Sequence, residues 1–168
     1  AIHEIGEQDG LPYFTMDFVP GRNLVDLVRD HPLSAQAAAT YVQIIAKAIH
    51  YAHEQGVLHR DLKPSNVLID AFDQPRITDF GLAKRLTGSS SDLTVSGQAL
   101  GSPNFMPPEQ AAGKHKTSGP TSDIYGLGAI LYYLIAGRPP FMAENASAAV
   151  RQVLENEREA QRAALQAS

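Results

Sequence analysis

The stretch VLHRDLKPSNVLID, residues 57–70, sets Asp61, Lys63 and Asn66 between two apolar flanks, and Asp79 follows the next short apolar run. A solvated loop needs polarity but no particular order of residues, whereas a loop that does chemistry needs both. Two carboxylates and an amide oxygen, on the ends of two adjacent short strands, can converge on one point. Oxygen donors of this kind suit Mg2+, which keeps several waters and binds through few carboxylates plus a substrate's phosphates. Lys63 lies among them as a point charge suited to a phosphate oxygen. Taken singly, each of these residues reads as part of a polar surface turn; their joint order carries the chemical reading.

Strands and helices must deliver those side chains. IHEI and YFTMDFV are strand-like, and GEQDG between them is turn chemistry, so the chain opens as a hairpin. PGRNLVDLVRD predicts a short helix after a Pro-Gly break. Ser34 is the N-cap of a long helix running to about Gln55, with Gly56 as terminator. Ala38, Tyr41, Ile45, Ala48 and Ala52 recur at helical steps and give it one apolar face. Val67–Ile69 and Arg76–Thr78, separated by DAFDQP, predict a second hairpin with polar residues at its ends. Residues 86–101, rich in Ser, Thr and Gly, form a long aperiodic run that is either functional or disordered. The helix over 124–136 is apolar on every side and is expected at the centre of the domain. The Ala- and Glu-rich tail reads as helical, and no internal repeat is present.

Composition narrows the functional classes. The chain has 168 residues, 43% of them hydrophobic, which suits one compact unit. A net charge of −4 and a pI near 5.8 give no electrostatic reason to expect nucleic acid or an anionic membrane. KHK at 114–116 reads as a solvated loop. With no cysteine, disulfides, thiolate metal sites and cysteine nucleophiles are excluded. The first ten residues show neither the basic start nor the apolar run of a signal peptide. IYGLGAILYYLIAG, 124–137, is shorter than the roughly 20 apolar residues of a membrane span and reads as a core helix. His50 and His53 lie near one helix end with no third ligand suggested, and His3, His31 and His115 read as surface or turn residues. GLGAIL lacks the third small residue of a nucleotide-binding loop and lies inside a helix.

HRDLKPSN followed by DFG at 79–81 resembles the catalytic and metal-binding loops of the eukaryotic-type protein kinase family. GSPNFMPPEQ, 101–110, resembles the segment that closes a kinase activation loop, and SDIYGLG, 122–128, the start of the family's buried central helix. The likeness runs from residue 1 to about 155 in the family's order, and MPPEQAAGK and YLIAGRPPF are most similar to its bacterial members. It implies an α+β, protein-kinase-like fold: last small-lobe strands and hinge over 1–19, large lobe over 20–155, helical tail over 156–168. By the same resemblance Asp61 accepts or orients the proton of a substrate hydroxyl, Lys63 steadies the transferred phosphoryl group, and Asn66 and Asp79 hold metal ions. Met16 becomes the gatekeeper, Asp17 and Val19 meet adenine through their backbones, Leu68 forms the adenine floor, and Asn23 belongs to the nucleotide site. His59, Phe80, Gly81, Glu109 and Asp123 become structural residues that align the site.

The lysine of DLKPSN resembles the serine/threonine branch, and Ser102 keeps a hydroxyl where that branch commonly has a threonine contacting the base. Arg60 takes the place of the arginine that holds an activation-loop phosphate, with Thr87, Ser89, Ser90, Ser91, Thr94 and Ser96 as acceptors. The implied cofactors are ATP and Mg2+, with Mn2+ able to replace it. The implied partners are proteins bearing Ser or Thr, with no nucleic acid and no membrane segment in this chain. The expected location is the cytoplasm, either free or as the cytoplasmic part of a larger protein anchored in a membrane.

The first lysine is Lys47, inside a helix, so no residue matches the strand lysine that grips the phosphates in the family, and no glycine-rich loop precedes it. Arg151, Arg158 and Arg162 come too early to be the usual partner of Glu109, and Pro107 replaces the customary alanine. The expectation is a kinase catalytic region cut at both ends, inactive or weak alone, and self-associating through exposed hinge strands. Two alternatives stand beside it: a kinase remnant that only binds a partner, and a small-molecule phosphotransferase. The latter shares the His-x-Asp…Asn loop but is not expected to carry MPPEQ or SDIYGLG.

Overall fold

The computed structural model describes residues 2–9, 11–80, 103–114 and 118–166. Gly81, Ser102 and the acceptors Thr87, Ser89, Ser90, Ser91, Thr94 and Ser96 lie outside the described residues. Strands β1 (Ile2–Gln8) and β2 (Leu11–Met16) pair antiparallel, from Ile2 opposite Met16 to Gln8 opposite Leu11. The register slips between Ile2 and Glu4. This is the expected opening hairpin.

The next stretch departs from expectation. PGRNLVDLVRD predicts a short helix, and α1 (Leu24–Leu27) is that helix, but Arg22–Asn23 ahead of it forms strand β3. Strand β3 pairs antiparallel with β4 (Val67–Ile69), which pairs with β5 (Pro75–Ile77), so the second hairpin is really a three-stranded sheet. Gly21 makes the pairing possible. A Cβ there would sit 2.0 Å from the Ile69 carbonyl oxygen, so only glycine lets the two backbones lie this close. Asn23 then turns the chain into α1, its side-chain oxygen accepting the Asp26 N–H at 2.9 Å.

Helix α2 (Ala35–Glu54) starts as predicted, with Ser34 Oγ accepting the Ala37 N–H at 3.3 Å, and stops before Gly56. Its apolar face differs slightly. Ala38, Ile45 and Ile49 are buried, whereas Ala48 is exposed and Tyr41 and Ala52 are half-buried. A single turn of 3-10 helix (Pro64–Asn66) leads into β4, another (Pro103–Phe105) leads to helix α3 (Pro108–Ala111), and then come α4 (Pro120–Ala136) and α5 (Ala146–Gln166). The last helix is continuous across residues 155 and 156.

Helix α4 packs on α2, and the Leu33 N–H bonds the Leu134 carbonyl at 2.8 Å. Their contact, with α1, β4 and Leu62, forms one core: Leu24, Val28, Ala38, Ile45, Ile49, Leu62, Val67, Ile69, Ile130 and Leu134. Each large member contributes about 1.5–3 kcal/mol by leaving water. The expectation that α4 is buried all round is corrected. Ile124, Tyr132 and Ile135 are 61%, 39% and 44% exposed, on the face turned away from α2. Hydrophobicity alone registers that a helix is apolar, and cannot tell which side finds a neighbour. No helix among the described residues is long and apolar enough to cross a membrane.

Candidate active site

Residues 57–66 leave α2 and run under the N-terminal end of α4. Leu62 anchors the loop in the core at 5% exposure. Helix α4 approaches it so closely that a Cβ at Gly126 would stand 2.9 Å from the Leu62 carbonyl oxygen. Asp123, at the start of α4 and 1% exposed, accepts the His59 N–H at 2.9 Å on one carboxylate oxygen and the Arg60 N–H at 2.8 Å on the other. His53 Nε2 lies 2.8 Å from the first of these oxygens. The buried carboxylate thus satisfies loop donors that have no secondary-structure partner.

His59 is fully buried. Its Nε2–H donates to the Thr78 carbonyl at 3.0 Å, and its Nδ1 lone pair accepts the Asp61 N–H at 3.3 Å. Only the neutral ring with its proton on Nε2 satisfies both bonds. Burial pushes the ring below the usual histidine range, which agrees with that tautomer. Phe80 packs on the ring with centroids 4.7 Å apart.

Three of the predicted residues meet directly. Lys63 Nζ donates to Asp61 Oδ2 at 2.8 Å, and Asn66 Nδ2 donates to the Asp61 carbonyl at 2.8 Å and to Oδ2 at 3.3 Å. The Asp61 side chain is 49% exposed, and its Oδ1 has no partner among the described residues. Asn66 is buried, and because its amide nitrogen faces Asp61, its Oδ1 points the other way, where the Ser65 hydroxyl at 3.4 Å is its one hydrogen-bond partner among the described residues. The Asn66 carbonyl receives the Thr78 N–H at 2.9 Å and hydroxyl at 3.2 Å, which ties the end of β4 to the residue before Asp79.

Asp79 is exposed and held at φ +61, and Arg60 at φ +67. A non-glycine residue in this region costs on the order of 1–3 kcal/mol, and such strain gathers at working sites. Arg60 is bracketed by the bonded His59 and Asp61 amides, and Asp79 follows Thr78, whose N–H, hydroxyl and carbonyl are all bonded. With Asn66 Oδ1 and the Asp79 carboxylate on adjoining strand ends, the donor set is the hard-oxygen kind that fits Mg2+.

A cavity of about 580 Å3 is lined by Met16, Asp17, Val19, Ala48 and residues 75–80. It joins three predicted adenine-site residues to Asp79 and Phe80, and its volume falls in the range of about 300–1,000 Å3 usual for small-molecule sites. Leu68, Asn23, Lys63 and Asn66 do not line it. Leu68 sits on β4 opposite Asn23 and Arg76, on the sheet face turned away from the core-facing Val67 and Ile69.

The closing segment docks on the same loop. Ser122 Oγ donates to the Glu109 carboxylate, and Gln110 Nε2 donates to the Arg60 carbonyl at 3.0 Å. Glu109 therefore has a partner on α4, although its usual arginine was not expected. The Arg60 guanidinium has no partner among the described residues. Residue types and spacing missed His53, Gln110 and Ser122. Their contacts join positions separated by 70, 50 and 13 residues, beyond the reach of any local period.

The protein kinase domain family matches residues 1–167. A probable serine/threonine-protein kinase of Corynebacterium efficiens is 38% identical over 162 residues, covering 94% of this chain and 24% of its own. The serine/threonine-protein kinase PrkC of Bacillus subtilis is 40% identical over 147 residues, 87% of this chain and 22% of its own. PknB of Mycolicibacterium smegmatis is 32% identical over 157 residues, 90% and 25%. The chain thus spans about a quarter of the length of these relatives. A match over nearly every residue, with a loop whose acid, amide and lysine meet in space, places the chain in the protein kinase domain family, beside bacterial members that are serine/threonine-protein kinases.

Proposed function

We propose that the chain carries the large-lobe half of a serine/threonine protein kinase site, one that passes the γ-phosphoryl group of ATP to a protein hydroxyl. The observation that supports this best is the state of Asp61. Its Oδ2 is held by Lys63 and Asn66 and its backbone N–H by His59, while Oδ1, on a half-exposed side chain, has no partner among the described residues. A carboxylate so held can orient a substrate hydroxyl and take its proton as the oxygen–phosphorus bond forms. Lys63, 15% exposed beside it, can exchange its contact with Asp61 for a phosphoryl oxygen. Asn66 Oδ1 and Asp79 would hold Mg2+, which supplies charge neutralisation across the phosphates. Met16, Asp17 and Val19 offer the wall of the adenine site. Arg60 would hold a phosphate carried by one of Thr87, Ser89, Ser90, Ser91, Thr94 or Ser96.

Residues 1–168 include no lysine before Lys47, so these residues by themselves offer no counterpart of the strand lysine that grips the phosphates in the family. We infer that these residues alone are inactive or nearly so. The test of the site is a fusion in which the part of Bacillus subtilis PrkC preceding the matched region is joined ahead of residue 1. Asp61→Asn in that protein lowers phosphate transfer roughly 10²–10⁴-fold while nucleotide binding changes little. Equal turnover with and without the Asp61 carboxylate overturns the reading.

A further inference from the structure

We propose that Gln110 is a positioning residue for Asp61, holding the peptide that joins Arg60 to Asp61 and so coupling the segment 103–111 to the base. That peptide has two polar ends. Its N–H, belonging to Asp61, donates to His59 Nδ1 at 3.3 Å, and its carbonyl, belonging to Arg60, accepts from Gln110 Nε2 at 3.0 Å. Rotation of the plane would break both bonds. The plane has reason to rotate, because Arg60 sits at φ +67, a conformation disfavoured for a residue with a Cβ.

The clamp is part of a closed circuit. Arg60 gives its N–H to Asp123 on α4, and the neighbouring Ser122 gives its hydroxyl to Glu109 on α3. Gln110, next in α3, returns to the Arg60 carbonyl. Within α3 the Gln110 N–H bonds the Pro107 carbonyl and the Lys114 N–H bonds the Glu109 carbonyl, so the donor stands on a fixed turn. Loop, α4 and α3 are therefore fastened pairwise around one strained residue, and Gln110 supplies the contact that reaches the base. A shift of α3 away from the loop withdraws this hydrogen bond, since the amide is the tie to the loop carbonyl among the described contacts. The clamp rests on contacts alone; its effect on rate rests on the kinase reading above.

Amide hydrogen exchange in residues 1–168 tests the clamp without needing activity. Gln110→Met keeps the side chain's length and removes the donor, and Gln110→Glu keeps its shape and removes the donor in a second way. Both variants should exchange the Asp61 amide roughly three- to tenfold faster, the span expected for one lost hydrogen bond. The Ile130 amide in α4 should be unchanged. Unaltered exchange at Asp61, or acceleration at Asp61 and Ile130 alike, overturns the clamp. In the PrkC fusion, Gln110→Met should lower kcat several-fold with KM for ATP unchanged; unchanged kcat overturns the coupling to the base. If Asp61→Asn also leaves kcat unchanged there, it is the kinase reading that fails, and the exchange result stands by itself.

Discussion

Asp123 carries more of the loop than Asp61 does. Its carboxylate is nearly inaccessible and takes two backbone N–H groups besides the His53 ring. Removing it strands both donors in the interior, each at about 1–3 kcal/mol. Asp123→Ala should therefore cost ~3 kcal/mol in urea unfolding, whereas Asp61→Ala, which loses a half-exposed side chain, should cost under about 1 kcal/mol. Comparable losses would mean that the two carboxylates do not divide into scaffold and chemistry. His59 makes a second, pH-dependent demand. Its folded-state value lies below its unfolded one, so the unfolded chain binds more protons once pH drops below about 6.5. Its contribution to stability is complete above that pH and is lost as pH falls toward the lowered folded value. Nitrogen-15 spectra of the ring should show the neutral Nε2–H form persisting below pH 6.5; a midpoint at or above that pH would contradict the buried pair with Thr78 and Asp61.

Two glycines on α4 separate packing from propensity. At Gly126 a Cβ meets the Leu62 carbonyl oxygen at 2.9 Å and the Leu62 Cβ at 3.0 Å, while at Gly128 nothing lies within 4 Å. Alanine gains about 1 kcal/mol over glycine inside a helix, and forcing an extra carbon into a filled space costs about 1–3 kcal/mol. Gly128→Ala should thus raise stability by about 0.5–1 kcal/mol, and Gly126→Ala should lower it while displacing the loop that bears Asp61. Thermal unfolding of the pair decides it, and a stabilising Gly126→Ala would show that α4 does not fix the loop. The sequence pattern made GLG visible only as helical glycines; which one faces the loop depends on a crossing that no period encodes. The same limit explains β3. Arg22–Asn23 takes its strand form from pairing with Ile69 and Leu68, 47 and 45 residues away, and local helix propensity took over at Leu24. By contrast the Ser34 cap, the end at Gly56 and the 67–77 hairpin were legible because their causes are local. Asp61, Lys63 and Asn66 were legible as a group for the same reason, while His53 and Gln110 were not.

Apolar surface is left open on two separate parts of the molecule. Leu11, Met16 and Phe18, on the opening hairpin and the segment after it, are 71%, 45% and 88% exposed, and Ile124, Tyr132 and Ile135 form a stripe along α4. Scattered exposed apolar side chains are ordinary, but a stripe at helical spacing is the kind of surface that drives association. The site is open in a different sense. Asp61 and Asp79 are both exposed, and the cavity beside Asp79 is walled by α2, β5 and the residues Met16, Asp17 and Val19. Phosphoryl transfer depends almost wholly on positioning and on charges fixed away from water. On the proposed reading the described residues supply a base, a lysine and two oxygen donors for metal, and no lysine stands ahead of Lys47 to grip the phosphates from the hinge side. Purified 1–168 should therefore transfer no more than trace radiolabelled phosphate to a generic basic protein, bind ATP weakly in calorimetry, and sediment as more than one species. Charged replacements should separate the two sources of association: Phe18→Lys tests the hinge side and Ile135→Lys the α4 stripe. Monodisperse sedimentation of the unaltered chain would remove the association argument. Robust transfer that disappears in Asp61→Asn would show that this half of the site positions ATP well enough by itself.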